Sequence, residues 1–256
     1  MRIAICYRGK NFDLYDYRNC IENNINYLIK PLLLNNEIDI FCILYDSYLS
    51  NNLLNDYKPV KYHILDKNDH YNGNQWQRQI IFHKISVDLI KDYEISNNIK
   101  YDLIINLRYD LYFKVKINEW NIDYNKIMLP FKHWPSSGGH CDDNIFIIPR
   151  KYLEDFYYAV CELEKYNKMT HELNSYIDNN NIKYIYELTN DDEKNLIKFK
   201  LYKIFHHPDL SGDEIFYSKI FHHPDLSCYE IFYSKIIKYI IKLSTYLNIF
   251  KKFIKV

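Results

Sequence analysis

The stretch Tyr101-Asp102-Leu103-Ile104-Ile105-Asn106-Leu107-Arg108-Tyr109-Asp110 decides how the rest of the chain is read. Its first seven residues are a nearly continuous apolar run of strand length, the pattern of a strand buried on both faces of a parallel sheet. The run passes without a break into Arg108-Tyr109-Asp110, so two charged residues stand at the strand's carboxyl end. Upstream, residues 3–7 form a similar run ended by Arg8-Gly9, and residues 38–44 form another that stops at Tyr45-Asp46-Ser47. Val60 to Leu65 reads as a shorter strand. Between these runs the spacing turns helical, with Ile21, Ile25, Leu28 and Leu32 on one face of 15–34, and Ile80, Ile81, Ile85, Leu89 and Ile90 within 76–93. Strands alternating with helices predict an α/β fold, a Rossmann-like, mostly parallel central sheet flanked by helices. Ligands of such sheets bind outside the carboxyl ends of the strands. Arg8, Asp46, Arg108 and Asp110 all stand at those ends.

Beyond Phe113 the pattern changes. Residues 126–130 and 144–148 read as strands around a loop, 133–143, rich in Pro, Ser and Gly, and helices are expected over 149–168 and 170–179. This predicts a mixed C-terminal extension on the parallel core. Residues 1–200 are expected to be one domain, and 201–256 a helical tail. Within the tail, 204–219 (IFHHPDLSGDEIFYSK) recurs at 220–235 with changes only at Gly212/Cys228 and Asp213/Tyr229. Solenoids need about three or more repeats for stability, so two near-identical copies read as a recent duplication. The copied His206-His207-Asp209 and His222-His223-Asp225 could bind a metal, but a duplicated surface segment is the simpler reading. Residues 231–256 carry six Lys and no acid among many apolar and aromatic residues. That pattern suits either a C-terminal helix with a solvated Lys face or peripheral contact with a membrane.

Composition narrows the function classes. The formal net charge of zero gives no global reason to expect nucleic-acid binding. The six cysteines form no C-x-x-C pair, and Cys6 and Cys42 sit inside strand runs as small apolar residues, so a reducing compartment is expected. No stretch approaches the roughly 20 apolar residues that span a bilayer, and Met1 leads directly into a strand without a signal-peptide pattern. A cytoplasmic location is the expectation. The 27 Tyr and abundant Asn, Ile and Lys mark a compositional bias, which lowers the weight of any single Asn or Lys.

Three groups could carry chemistry. A carboxylate at a strand end such as Asp110 can hold Mg²⁺ or Mn²⁺ against the phosphates of a ligand, and Arg108 could contact a phosphate or orient Asp110. From the triplet alone, a surface salt bridge at a strand end is the favoured reading. In the acidic loop Gly138-Gly139-His140-Cys141-Asp142-Asp143-Asn144, either Asp142 or Asp143 could act as a general base. Adjacent residues of an extended segment point opposite ways, so only one of them can face a site. At the start of the long helix, Gln75 or Arg78 could reach a phosphate drawn to the helix N-terminus.

Together these residues resemble a family of GT-A-fold glycosyltransferases found in large DNA viruses and in bacterial polysaccharide clusters. The likeness covers about residues 1–190. It rests on the strand ending in Arg8-Gly9, on Asp39-Ile40-Phe41 leading to Tyr45-Asp46, on 101–104 with 108–113, and on 142–149. The segment 108–113 looks like a variant of the D-x-D metal motif, and 142–149 like the acidic acceptor-side motif. The resemblance implies a UDP- or GDP-sugar donor bound through Tyr7, Arg8, Gly9, Tyr45, Asp46, Gln75, Arg78 and Arg108. It implies Mn²⁺ or Mg²⁺ on Asp110, and a base at Asp143 in preference to Asp142. The acceptor would be a hydroxyl on a glycan, lipid or protein, and a viral member would work in the host cytoplasm or virus factory. Arg108 departs from the pattern, standing where a full D-x-D has its first Asp. The alternative reading is a catalytically inactive domain of the same shape that binds a glycan or partner. Nucleotidyl transfer to a sugar phosphate ranks lowest, because Tyr7-Arg8-Gly9-Lys10-Asn11 is too poor in glycine.

Overall fold

The computed structural model describes residues 1–11, 17–71, 75–113, 116–120, 122–131, 141, 143–186 and 204–206. Strand β1 (Arg2–Arg8) leads through α1 (Tyr17–Asn24), a π-helical turn (Ile25–Ile29) and α2 (Lys30–Leu33) to β2 (Glu37–Tyr45). Pro31 stands in the first turn of α2, where its missing N–H is best tolerated. After β2 come α3 (Ser50–Tyr57), β3 (Lys61–Leu65), the short α4 (Lys67–Tyr71) and the long α5 (Gln75–Asn97). The chain then returns through β4 (Leu103–Arg108) to β5 (Leu111–Phe113). It continues to β6 (Ile127–Phe131), β7 (Ile145–Pro149), α6 (Leu153–Lys165), β8 (Ile182–Tyr186) and β9 (Ile204–His206).

Seven of these strands form one sheet in the order β3-β2-β1-β4-β7-β6-β8. The β3-β2-β1-β4 half is wholly parallel. β7 then runs antiparallel to β4 and β6, and β6 pairs parallel with β8. The architecture is α/β, with a mostly parallel sheet covered by helices, as the alternating pattern predicted. β5 and β9 pair antiparallel in a separate ribbon.

Side chains alternate across β1, and so define two cores. Ile3, Ile5 and Tyr7 face one layer with Leu28 of the π turn and Leu53 of α3. Ala4 and Cys6 face the other, with Ile80 and Ile90 of α5 and Phe156 and Leu163 of α6. The sheet is therefore sandwiched, and the strand interiors read as continuous apolar runs because both faces are buried.

Two expectations are corrected. The helix predicted over 170–179 is a 3₁₀ segment, Thr170–Ser175, followed by another at Asn179–Asn181. The helix predicted from residue 149 starts as a 3₁₀ turn, Arg150–Tyr152, and becomes α only at Leu153. In the expected tail, Ile204–His206 form β9; the rest of the duplication and the basic 231–256 segment lie outside the described residues. Among the described residues no helix is long and apolar enough to cross a membrane.

Candidate functional site

The order of the strands places the site. From β1 the chain moves outward to β2 and β3, then crosses back through α5 to β4 on the other side of β1. A crevice opens at such a reversal, outside the carboxyl ends of the two strands that flank it. Those ends carry Arg8 and Arg108, which are register partners on parallel β1 and β4. Paired residues on neighbouring strands project to the same face, so the fold sets two guanidinium groups side by side.

Two carboxylates offset them. Arg108 forks onto Asp110, with Nε donating to Oδ1 at 2.8 Å and Nη2 to Oδ2 at 2.6 Å. Its Nη1 also lies 3.9 Å from Oδ1 of Asp143. Arg8 is 1% exposed, donating from Nε to Asn106 Oδ1 at 2.6 Å and from Nη2 to the backbone carbonyl of Asp143. Its guanidinium also lies over the Phe146 ring, 5.7 Å from the centroid. Burial lowers the Arg8 pKa to about 10, with the charge of Asp143 opposing the shift and that of Arg108 adding to it. Arg8 thus remains a cation at neutral pH, sealed beneath the edge of the sheet.

The segment that carries Asp110 is clamped from the other layer. Cys20 Sγ donates to the Tyr109 carbonyl at 2.9 Å, and Asn24 Nδ2 to the Leu111 carbonyl at 2.9 Å. Asn23 acts as a strand partner of Phe113, accepting from its N–H at 2.7 Å and donating to its carbonyl at 3.0 Å. Buried Asn11 does the same for the end of β2, bonding both N–H and C=O of Tyr45. Asp143 is fixed by its position just before β7, where the Asn144 carbonyl accepts from the Arg108 N–H at 3.0 Å.

The structure thus brings Arg8, Arg108, Asp110 and Asp143 into one cluster, but several predicted ligand contacts are redirected. Tyr7 is fully buried on the opposite face from Arg8, stacked on Tyr57 and Tyr109 with centroids 4.2 and 5.7 Å away. It is a core residue, because neighbouring positions of a strand face opposite sides. Tyr45 is 2% exposed and packs edge-on against Phe82 of α5, so its ring faces the core as well. Arg8 is committed to Asn106 and the Asp143 carbonyl, and Asp143 is itself nearly as buried, at 3% exposed. Asp46 is exposed at the end of β2, and its N–H donates to the Leu65 carbonyl at 2.7 Å. Gly9 adopts φ +107°, a conformation that favours glycine, so its role is to turn the chain away from β1. Arg78 lies near enough to Tyr45 for its charge to oppose the burial that raises that phenol's pKa to about 12. Asp142 and the Gln75 side chain lie outside the described residues.

A divalent ion on Asp110 does not fit this arrangement. Both carboxylate oxygens already accept from Arg108, so an ion there would have to displace that fork.

Asn106, Asn11, Asn23 and Asn24 went unnoticed in the sequence. For Asn106 a signal existed: it is the one polar residue within an apolar strand, two positions before Arg108 and therefore on the same face. The asparagines of α1 gave none, since they sit in a chain rich in Asn.

No protein-family model matches the chain, and no curated protein does. Solved structures with a similar fold include the galactosyltransferase LgtC in complex with donor and acceptor sugar analogues (12% identity, 72% of this chain, 73% of that one, TM-score 0.40). A glycosyltransferase involved in glycosylation of the major capsid of PBCV-1 is similar at 12% identity over 81% of this chain and 94% of that one, with a TM-score of 0.43. A nucleoside-diphosphate-sugar pyrophosphorylase from Vibrio cholerae RC9 is similar at 11% identity over 80% and 95%, with a TM-score of 0.45.

Proposed function

We propose that this protein is a hexosyltransferase that moves a sugar from a UDP- or GDP-sugar to a hydroxyl of a glycan, lipid or protein acceptor. The observation that carries the reading is the cluster at the β1/β4 reversal, where a guanidinium forked on Asp110 faces the Asp143 carboxylate 3.9 Å away. Group transfer to a hydroxyl needs these two opposed functions together. The bond between the anomeric carbon and the diphosphate oxygen breaks, with its electron pair leaving on the diphosphate. The acceptor oxygen forms the new bond to that carbon, and its proton passes to Asp143. Arg108, already oriented, meets the charge that grows on the leaving group without having to reorganise. Arg8, itself held by Asn106, donates to the Asp143 backbone carbonyl.

The reading is tested by a thermal-shift screen of UDP- and GDP-sugars, followed by measurement of nucleoside diphosphate release. A ligand that binds only the native state raises the apparent melting temperature. A shift with one nucleotide sugar, together with release of its diphosphate, is expected. A shift without release, with every acceptor tried, would make the protein a binding domain. No response to any nucleotide would contradict both.

A further inference from the structure

We propose that the diphosphate of the donor is bound, and its departing charge neutralised, by the Arg108 guanidinium held on Asp110, with no divalent cation between protein and phosphate. The inference rests on the transferase reading and assigns its charge carrier. The first support is geometric. Asp110 presents both oxygens to Arg108 in the planar two-bond fork that is strongest for this pair. A cation bound to the same oxygens would have to displace the guanidinium and then remain beside its positive charge. The second is charge balance among the described residues: Arg8 and Arg108 match Asp110 and Asp143 in number.

The third support is that the fork is local. It joins residues two apart in the sequence and ties no two distant elements together, whereas backbone pairing and the α1 clamp already hold this segment. What the fork does is fix the plane of a guanidinium whose side chain keeps 24% of its surface exposed, above a second, buried guanidinium. A planar, permanently charged group of this kind is suited to phosphate oxygens. Asp110 is thereby a positioning residue that acts through Arg108 rather than a metal ligand.

The test is calorimetric titration of the full chain with inorganic pyrophosphate and with UDP, in excess EDTA and again with Mn²⁺. Binding in EDTA within about threefold of that in Mn²⁺ is expected, with losses of about tenfold or more in Arg108→Gln, the size of one charge-assisted hydrogen bond. Arg108→Lys keeps the charge but loses the fork, and is expected to fall between the two; it also serves if Arg108→Gln does not fold. Binding that requires Mn²⁺, or that survives Arg108→Gln, or that is absent in every condition, overturns the inference. Metal-free binding that depends on Arg108, without turnover of any nucleotide sugar, would leave the inference standing and remove the transferase reading. Turnover that depends strictly on Mn²⁺ would do the reverse.

Discussion

The two ends of the parallel sheet are both lined with ion pairs, yet the pairs do different work. At the amino end they join elements far apart in sequence. Arg150 forks onto Glu94 across 56 residues, and Glu94 also accepts from the Tyr101 N–H. Arg2 and the Tyr101 hydroxyl share Asp39, and the Arg2 N–H donates to Asp102. These contacts close the end of the sheet onto α5 and the 3₁₀ turn that precedes α6. At the carboxyl end the best-formed pair, Arg108–Asp110, spans one turn. The buried Arg8 links β1 to β4 and to Asp143 ahead of β7, whereas the fork joins residues two apart in sequence. The proposed phosphate role of Arg108 rests on this difference between a local fork and pairs that join distant elements.

The largest expected effect breaks the comparison at its one exception. Arg8→Met removes a buried cation and leaves Asn106 and the Asp143 carbonyl without their partner. We expect a loss of about 3–5 kcal/mol in urea unfolding, the cost of breaking a buried charged contact. A loss below about 1 kcal/mol, the range of surface pairs, would place Arg8 with the exposed groups instead. Next, Glu94→Gln should lower stability by about 1–3 kcal/mol and leave nucleotide binding unchanged, since it weakens a partly buried fork remote from the crevice. Asp110→Asn should do the opposite, with stability within about 1 kcal/mol of the parent and weaker pyrophosphate binding. Equal stability losses in the two variants would erase the distinction between the ends.

Much of this was legible in the sequence and some was not, for reasons that differ by residue. The runs 3–7, 38–44 and 101–107 read as strands because burial on both faces removes polar interruptions, and their ends then stood out as charged. Which end residues face the crevice was not legible, because it depends on the pleat. Tyr7 and Arg8 are neighbours, yet one lies in the core under α3 and the other beneath the site. The fork was visible only as two charges two residues apart. That both Asp110 oxygens accept from Arg108 is a matter of side-chain geometry. β5, β8 and β9 were not anticipated, since short edge elements of three to five residues carry too little periodic signal.

A smaller effect concerns His83 of α5, buried between the Phe146 and Phe156 rings with neither ring nitrogen hydrogen-bonded. Burial first, then the nearby Arg8 charge, lower its pKa well below the ordinary histidine value. The folded state therefore resists a proton that the unfolded chain takes up below about pH 6.5. Its contribution to stability is present above that pH and declines as pH falls, by up to about 1.4 kcal/mol per pH unit. His83→Leu should flatten this part of the curve between pH 7 and pH 5, as read by urea midpoints. An unchanged slope would show that His83 titrates normally. A further modest effect is expected for Gly9→Ala. A Cβ there meets nothing within 4 Å, so only the positive φ opposes it, at about 1–2 kcal/mol.

The central claim is that the crevice transfers a sugar with Asp143 taking the acceptor's proton. The most direct measurement is the rate of nucleoside diphosphate release from the best-binding nucleotide sugar, compared between the parent and Asp143→Asn at equal donor occupancy. Loss of about 10²-fold or more, with donor affinity retained, is predicted for removal of a general base. Release at the parental rate in Asp143→Asn would contradict the account.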